Sequence, residues 1–501
     1  MTDERKAIGK NSFIVMAFTL ISRLLGIVRI RLFGSIFGAS SVADAINFSF
    51  NIPNNFRKLF SEGALSNAIV PQFARLREDE EKTQKLFSSF LGLQLILSVI
   101  ILAFTILLRK PIVLLLSDFE QPLQNEIAIG LLPYFSLFLV FILISSYFSS
   151  VLQSRNSFLV QSVAPLLFSF AVIASLLLFS DDLGPYSMAL GAASGGFLQM
   201  ISTAIRLRSE GIRFKISFDF KSDDFREVTG MWIPAILASA ISIVSTQAAF
   251  YFASGMGAGA VSAFSNSLIF WQTPYGIFFT AVSTVMLPIM SVSTGQKLSD
   301  TFLDGILRLS AFLIPSAAFL YFFRFDAVAV VLMTGNFTYE NSILASRVLG
   351  IFLIGMPIAA YYSFAQRLCY CLSLQKTVLK ASAAVCIVDI ASSYALIKLG
   401  LGVQSLAVAN LISNSSGLVI LGVCISKKIP SFDWSFLGKR MVRILAGCIP
   451  MIVFCIVIRS TGFDYWKSGS TAANLGIFCG LTAVSAALVL GFYRLLKIKL
   501  F

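Results

Sequence analysis

The amino-acid sequence predicts an all-α polytopic membrane protein of about fourteen transmembrane helices, arranged as two pseudo-repeated six-helix lobes plus two C-terminal helices. Three observations predict it. Hydrophobic residues make up 57% of the 501 and charged residues only 13%, and mean hydropathy is +0.83. A soluble chain carries roughly 25% charged residues, and this one has too few to coat a large soluble core. Apolar runs of roughly 20 residues, enough to cross a hydrocarbon layer as helix, recur from end to end. Finally, an octapeptide of the first half returns in the second.

The spans fall at 12–36, 41–73, 87–108, 127–153, 159–180, 185–206, 228–254, 260–292, 303–325, 342–370, 378–399, 402–426, 440–460 and 472–496. The first follows the charged stretch MTDERKAIGKN and shows no small-residue cleavage site, so it is expected to stay in the chain. The second, eighth and tenth exceed what a bilayer needs, which predicts tilt, a kink or an interfacial extension. The third to sixth are apolar runs joined by the connections 109–126, 154–158 and 181–184. The seventh opens after the strongly basic connection 207–227, and the last two follow Lys427 and Lys428.

Lys and Arg in the connections set the orientation. With the N-terminus in the cytoplasm, the inside segments hold 26 of them and the outside segments 7, namely Arg109, Lys110, Arg324, Arg347, Lys398, Arg459 and Lys467. That excess places both termini inside and requires an even number of spans. It also accounts for the net charge of +14, so nucleic acid is not an expected partner.

The repeat is carried by Ala64-Leu65-Ser66-Asn67-Ala68-Ile69-Val70-Pro71 against Ala281-Val282-Ser283-Thr284-Val285-Met286-Leu287-Pro288, an offset of 217 residues. It divides the chain into an N-terminal lobe (1–206), a cytoplasmic linker (207–227), a C-terminal lobe (228–426) and a final pair of helices (427–501). Paired lobes of this kind are typical of transporters with a site at the repeat interface.

Several chemistries are disfavoured. Histidine is absent, which removes the commonest catalytic base and metal ligand. The seven cysteines lack metal-ligand spacing and read as apolar packing residues. Gly255-Met256-Gly257-Ala258-Gly259-Ala260 is glycine-rich without the Lys and Ser/Thr of a phosphate loop, and reads as an outer turn. No cofactor or metal is expected, and the protein reads as a transporter and not an enzyme.

Ionisable residues inside spans are costly and point to function. They gather in the first two spans: Arg23, Arg29 and Arg31, then Asp44, Arg57, Lys58 and Glu62. Five cations face two anions, so internal pairing leaves positive charge over. Arg23 and Arg57 fall near the bilayer midplane. The expectation is a water-filled cationic cavity for a phosphate-bearing substrate, because the arginine fork binds phosphate bidentately and keeps its charge. The backbone agrees: Asn51-Ile52-Pro53-Asn54-Asn55 breaks the second span, and irregular backbone at membrane depth is tolerated where it lines a cavity. In span eleven, the lone acid Asp389, with Ser393 below it, is a candidate for a coupling cation.

The stretch Ser22-Arg23-Leu24-Leu25-Gly26-Ile27-Val28-Arg29 resembles the opening of the MurJ (MviN) lipid II flippase family. Phe37-Gly38-Ala39, Ala43-Asp44-Ala45, Ile52-Pro53-Asn54, the run from Arg57 to Ala64, and Pro71 continue the pattern in order. The resemblance implies the fold of the multidrug/oligosaccharidyl-lipid/polysaccharide exporter superfamily and alternating access. It also implies a groove for a lipid tail at the last two spans. It implies that Arg23, Arg29 and Arg57 hold the diphosphate of lipid II and that Asp44 is functionally important. Membrane potential or a Na+ ion is the implied driver, with Asp389 resembling one ligand of the ion. The implied setting is the bacterial inner membrane, among membrane lipids and the cell-wall synthesis machinery. Two positions depart from the family: Ile30 replaces a common acid, and Ile269 a common second-lobe arginine. A flippase for another polyprenyl-linked glycan and a non-transporting scaffold of wall synthesis stay open as alternatives.

Overall fold

The computed structural model describes residues 18, 21–22, 24–60, 64–155, 157, 159–429, 432–467 and 470–498. Among them it is helical throughout, with no strand. Helix α1 runs over 24–37. The others are α2 (Ser41–Phe60), α3 (Ala64–Arg75), α4 (Glu80–Leu107), α5 (Arg109–Leu116), α6 (Pro122–Ser154), α7 (Leu159–Leu183), α8 (Tyr186–Ser209), α9 (Asp223–Ser254), α10 (Ala260–Val292), α11 (Gly295–Phe322), α12 (Arg324–Leu332), α13 (Tyr339–Cys371), α14 (Gln375–Lys398), α15 (Gln404–Lys428), α16 (Trp434–Ser460) and α17 (Thr471–Leu495).

Eleven of these helices, among the described residues, are long and apolar enough to cross a membrane. The fourteen spans expected from sequence differ from that number for local reasons. The first falls partly outside the described residues. The second carries charge and is described as two helices, α2 and α3, on either side of residues 61–63, and the seventh, α9, is a helix that is not among the eleven. Large apolar side chains such as Leu107, Leu178 and Val292 are the exposed ones, at 78%, 69% and 81%. That is the surface of a multi-pass membrane protein, whose helices satisfy their own backbone groups and turn hydrocarbon outward.

The repeat extends well beyond the octapeptide. Helix α4 starts at 80 and α11 at 295; α5 starts at 109 and α12 at 324; α6 starts at 122 and α13 at 339. The short helices α5 and α12 both follow a break after a long span, and both begin with an arginine.

Packing divides the chain into two compact units, Met1–Gly259 with Thr334–Asn336, and Ala260–Met333 with Phe337–Phe501. The first unit therefore includes α9. In it, α6 serves two clusters. One joins Ile46 of α2 with Leu131, Phe135, Phe138 and Leu139 of α6, Val172 of α7 and Met188 of α8. The other joins Ile69 and Phe73 of α3, Phe87 and Phe90 of α4, Tyr147 of α6 and Trp232 of α9. The fully buried Tyr147 donates its hydroxyl to the Phe87 carbonyl at 2.9 Å, so its polar tip is met inside the protein. Helix α9 is tied on by the Arg75 guanidinium, which grips Glu227 with two bonds of 3.1 and 2.7 Å.

In the second unit, α16 and α17 pack on α11 through Leu307, Phe319, Met451, Cys455 and Val489. Tyr493 of α17 donates to the Ala311 carbonyl at 3.2 Å. Cys448 and Cys455 are buried free thiols in this cluster, as the packing role predicts.

Helix association in lipid rests on close backbone approach, since hydrocarbon solvates a leucine as well as a neighbouring helix does. Helix α8 supplies that approach with Gly191 and Gly195. A Cβ on Gly191 would stand 2.7 Å from the Val172 Cα, and one on Gly195 would stand 2.9 Å from the Phe168 Cα. Gly491 of α17 has nothing within 4 Å of the same position. Gly195→Ala is expected to lower the thermal-unfolding midpoint of the purified protein, with an overpacking cost of about 1–3 kcal/mol. Gly491→Ala should leave the midpoint unchanged or raise it, by up to about 1 kcal/mol from helix propensity. Equal midpoints for the two variants would remove α8 as a close-packing seam.

Candidate functional site

The first two helices are joined by a tight corner. Gly38 ends α1 at φ +64°, and Ser40 caps the next turn by accepting the Ala43 N–H at 3.3 Å. Two other segments of the unit close on this corner. Asn336 donates its backbone N–H to the Ser35 carbonyl at 2.9 Å and its side-chain amide to the Ile36 carbonyl at 2.6 Å. The glycine-rich turn after α9 brings Gly259, at φ +88°, so near that a Cβ would stand 2.9 Å from the Ala39 carbonyl oxygen.

Asp44 lies in the first turn of α2, the favourable end for a carboxylate. It is completely buried, and its Oδ2 accepts the Gly259 N–H at 2.7 Å. The sequence reading grouped Asp44 with the substrate contacts. Among its partners is the backbone of the glycine-rich turn after α9.

Arg29 is half-buried on α1 and stacks over the Phe168 ring of α7 at 5.0 Å. Phe168 belongs to an aromatic cluster with Phe50 of α2 and Phe138 of α6. The cation thus rests on an aromatic floor that fixes its position without neutralising its charge. Arg31, two residues on, leaves a helix on the opposite side, so Arg29 and Arg31 do not share a face. On α2, Arg57 is half-buried and donates Nε–H to the Asn54 Oδ1 at 3.0 Å. Lys58 is half-buried beside it. Arg23 and Glu62 lie outside the described residues.

Pro53, inside α2, removes the bond that the Ser49 carbonyl would accept in a regular helix. Around this break lies a group of buried amides that the sequence only half disclosed. Asn55 donates to the Gln247 Oε1 of α9 at 3.2 Å. The amide nitrogens of Asn51 and Gln247 and the Asn55 Oδ1 are buried without a hydrogen-bond partner among the described residues. Buried polar atoms left so are costly, and they suit a site that meets water or a polar ligand. The stretch from Asn51 to Asn55 was singled out in the sequence. Gln247 was not, though it is the single side-chain amide of its span.

Ile269 sits on α10, 39% exposed, where the family resemblance led one to expect arginine. In α14, Asp389 is buried and accepts the Ser413 hydroxyl of α15 at 3.0 Å, with Ser393 buried one turn along. These donors are all oxygens, the chemistry a hard cation takes. Ser413 comes from the neighbouring helix and was not foreseen. Among the described residues, no group of three or more His, Cys, Asp or Glu could hold a metal ion.

Removing the Asp44 carboxylate leaves the buried Gly259 N–H without its acceptor, a cost of about 1–3 kcal/mol. Asp44→Ala is therefore expected to lower the thermal midpoint, while Asp44→Asn, which keeps a side-chain oxygen, retains most of it. A midpoint unchanged in Asp44→Ala would show that the carboxylate does not hold the corner.

Comparison with known proteins adds four findings. The family model described as "Lipid II flippase MurJ" matches residues 33–476. A "Probable lipid II flippase MurJ" of Borreliella burgdorferi is 30% identical over 502 residues, covering 98% of this chain and 97% of the relative. Among solved structures, a lipid II flippase MurJ in an inward closed conformation superposes with TM-score 0.79 at 23% identity, over 97% of this chain and 100% of that one. An inward-facing multidrug resistance MATE transporter of the MOP superfamily superposes with TM-score 0.68 at 16% identity, over 85% and 99%. At such identities the structural likeness speaks for the fold alone.

Proposed function

The chain belongs to the lipid II flippase MurJ family, and from that premise we propose that it carries lipid II from the inner to the outer leaflet of a bacterial inner membrane. The observation that carries the reading is the family match over 33–476, which takes in every described helix from α2 to α16. The reading makes no bond and breaks none. The chain would bind the diphosphate, shield it from hydrocarbon and release it on the other side by alternating access.

Arg29 and Arg57 are the residues we assign to the diphosphate, together with Arg23. The support is physical. A guanidinium on an aromatic floor, as Arg29 has, stays charged and aimed, and a diphosphate offers the bidentate oxygens that a guanidinium fork prefers. Asn54 steadies the Arg57 guanidinium. Arg31 and Lys58 extend the positive field, and Glu62 balances part of it. The amides of Asn51, Asn55 and Gln247 would serve the polar sugar or peptide portion. Asp44 acts through the corner it holds and is a positioning residue in this scheme.

Both termini are assigned to the cytoplasm on the 26 to 7 distribution of Lys and Arg. Direction would come from charge moved across the membrane potential, worth about 2.3 kcal/mol per charge per 100 mV. A Na+ ion at Asp389, Ser393 and Ser413 is the alternative driver.

Complementation tests the reading. A host depleted of its own lipid II flippase is given this chain, and lipid II on the outer leaflet is measured. Wild type is expected to restore it. Arg29→Ala and Arg57→Ala, inserted at equal levels, are expected to lower the flipping rate at least tenfold, about 1.4 kcal/mol or more, because each removes a charge-assisted bond to the diphosphate. Full activity in both variants would end the arginine assignment. Failure of well-inserted wild type would favour another polyprenyl-linked glycan. If Asp389→Asn flips lipid II as wild type does, with and without a Na+ gradient, the potential alone is the driver.

A further inference from the structure

Of the seven Lys and Arg assigned to the outer side, four converge on one pocket of the second unit: Arg324, Arg347, Arg459 and Lys467. The pocket has a volume of about 580 Å³ and lies where the ends of α11 and α16 meet the starts of α12 and α13. That volume is within the range of small-ligand sites, roughly 300–1,000 Å³. Cations are scarce on this side of the membrane, so four in one place call for a reason.

Two of the four are already neutralised. Arg459 pairs with the fully buried Asp326, donates to the Phe322 carbonyl at 2.9 Å and lies 4.7 Å over the Phe323 ring. It forms part of the pocket's frame. Lys467 pairs with Asp464 at 2.6 Å. The other two pair with no carboxylate among the described residues. Arg324 donates to the Tyr321 carbonyl at 2.7 Å and stacks on the Tyr321 ring at 4.5 Å. Arg347 is exposed and makes no ion pair among the described residues. It shares a face of α13 with Tyr339 and Ile343, because positions four and eight apart align on a helix.

Beside the two uncompensated guanidiniums stands an aromatic wall. Phe325 meets Tyr339 at 5.2 Å and Trp466 at 5.0 Å, and Tyr339 and Trp466 stack at 5.7 Å. Tyrosine and tryptophan of this kind mark the level of lipid headgroups. Surplus positive charge calls for an anion, and the adjoining aromatic wall at interfacial depth calls for one with an apolar body. A phosphate is the anion that an arginine pair matches best.

We propose that this pocket binds the phosphate of an anionic lipid headgroup in the outer leaflet, with Arg324 and Arg347 clamping the phosphate and Tyr339 and Trp466 holding the adjoining part of the lipid. The site is separate from the residues assigned to lipid II transport, and its occupant is a lipid of the surrounding leaflet.

Native mass spectrometry of the purified full chain, offered equimolar phosphatidylglycerol and phosphatidylcholine, tests it. Wild type is expected to retain phosphatidylglycerol in clear preference. Arg347→Gln should cut that preference by about tenfold, the loss of one charge-assisted contact. Arg324→Gln with Arg347→Gln should abolish it. Arg109→Gln, at the matching repeat position outside the pocket, should leave it unchanged. Arg347 makes no ion pair among the described residues, so its single variant decides the matter if the double variant fails to fold. Equal retention of the two lipids by wild type, or undiminished preference in Arg347→Gln, would overturn the proposal. Stripping of phosphatidylglycerol by millimolar inorganic phosphate would assign the pocket to the free anion and overturn the lipid; resistance to it supports the lipid. Lipid II flipping does not enter this readout, so either reading can fail without the other.

Discussion

A polar or charged group at membrane depth must be met by another group of the protein, because hydrocarbon offers it nothing. The first two helices of this chain are where that constraint presses hardest. Helix α2 alone carries Asp44, Arg57, Lys58, four asparagines and an internal proline. It can exist because the surrounding unit answers these groups one by one. The corner at Gly259 answers Asp44, the aromatic floor at Phe168 carries Arg29 of α1, Asn54 takes the Arg57 Nε–H, and Gln247 of α9 takes an amide proton of Asn55. The answers differ in kind. Asp44 is completely buried and accepts a backbone N–H. The Arg29 stack, by contrast, orients a cation and leaves its charge available to a ligand.

That difference sorts the charged residues better than their number does. Counting gave five cations and two anions in the first two spans, and so a surplus. The structure adds which members hold the scaffold. Helix α9 follows the same logic: it packs in the first unit, tied at one end by the Arg75–Glu227 fork and further along by the Asn55–Gln247 bond. An exposed ion pair such as Arg75–Glu227 contributes at most about 1 kcal/mol, so it sets register more than stability.

Much of the helical plan was legible in the sequence, because a span announces itself by twenty apolar residues and a repeat by a shared offset. Most long helices stand where the apolar runs placed them. Helices α5 and α12 were not seen, since eight or nine residues are too few for a periodic signal and both adjoin long apolar runs. The packing of α9 was also hidden, as it depends on partners such as Trp232 against Phe90, far apart in sequence. At the site, charge inside spans pointed to Arg29, Arg57 and Asp44. It did not separate them by role, because a buried acid on a backbone N–H and an oriented arginine read alike as ionisable residues in an apolar run. Gln247 and Ser413 escaped notice for the opposite reason: a single amide or hydroxyl in a span is ordinary, and only a partner on another helix gives it meaning.

The two repeats show how one plan acquires different chemistry. Arg109 and Arg324 begin matching short helices, each after a break at the end of a long span. Arg109 is exposed at its helix start. Arg324 has around it Arg459 of α16 and the segment from Asp464 to Lys467 that leads into α17, both from the part of the chain outside the repeat. The added helices thus supply a wall that the repeat alone lacks. Trp466 closes the aromatic side, and Arg459, held by Asp326, fixes the floor. A pocket arises where duplicated and added segments meet, and it gathers Arg324, Arg347, Arg459 and Lys467. The first repeat spends its cations at membrane depth, with apolar Ile269 in the second. The second repeat contributes Arg324 and Arg347 to a pocket that Arg459 and Lys467 of the added segments complete.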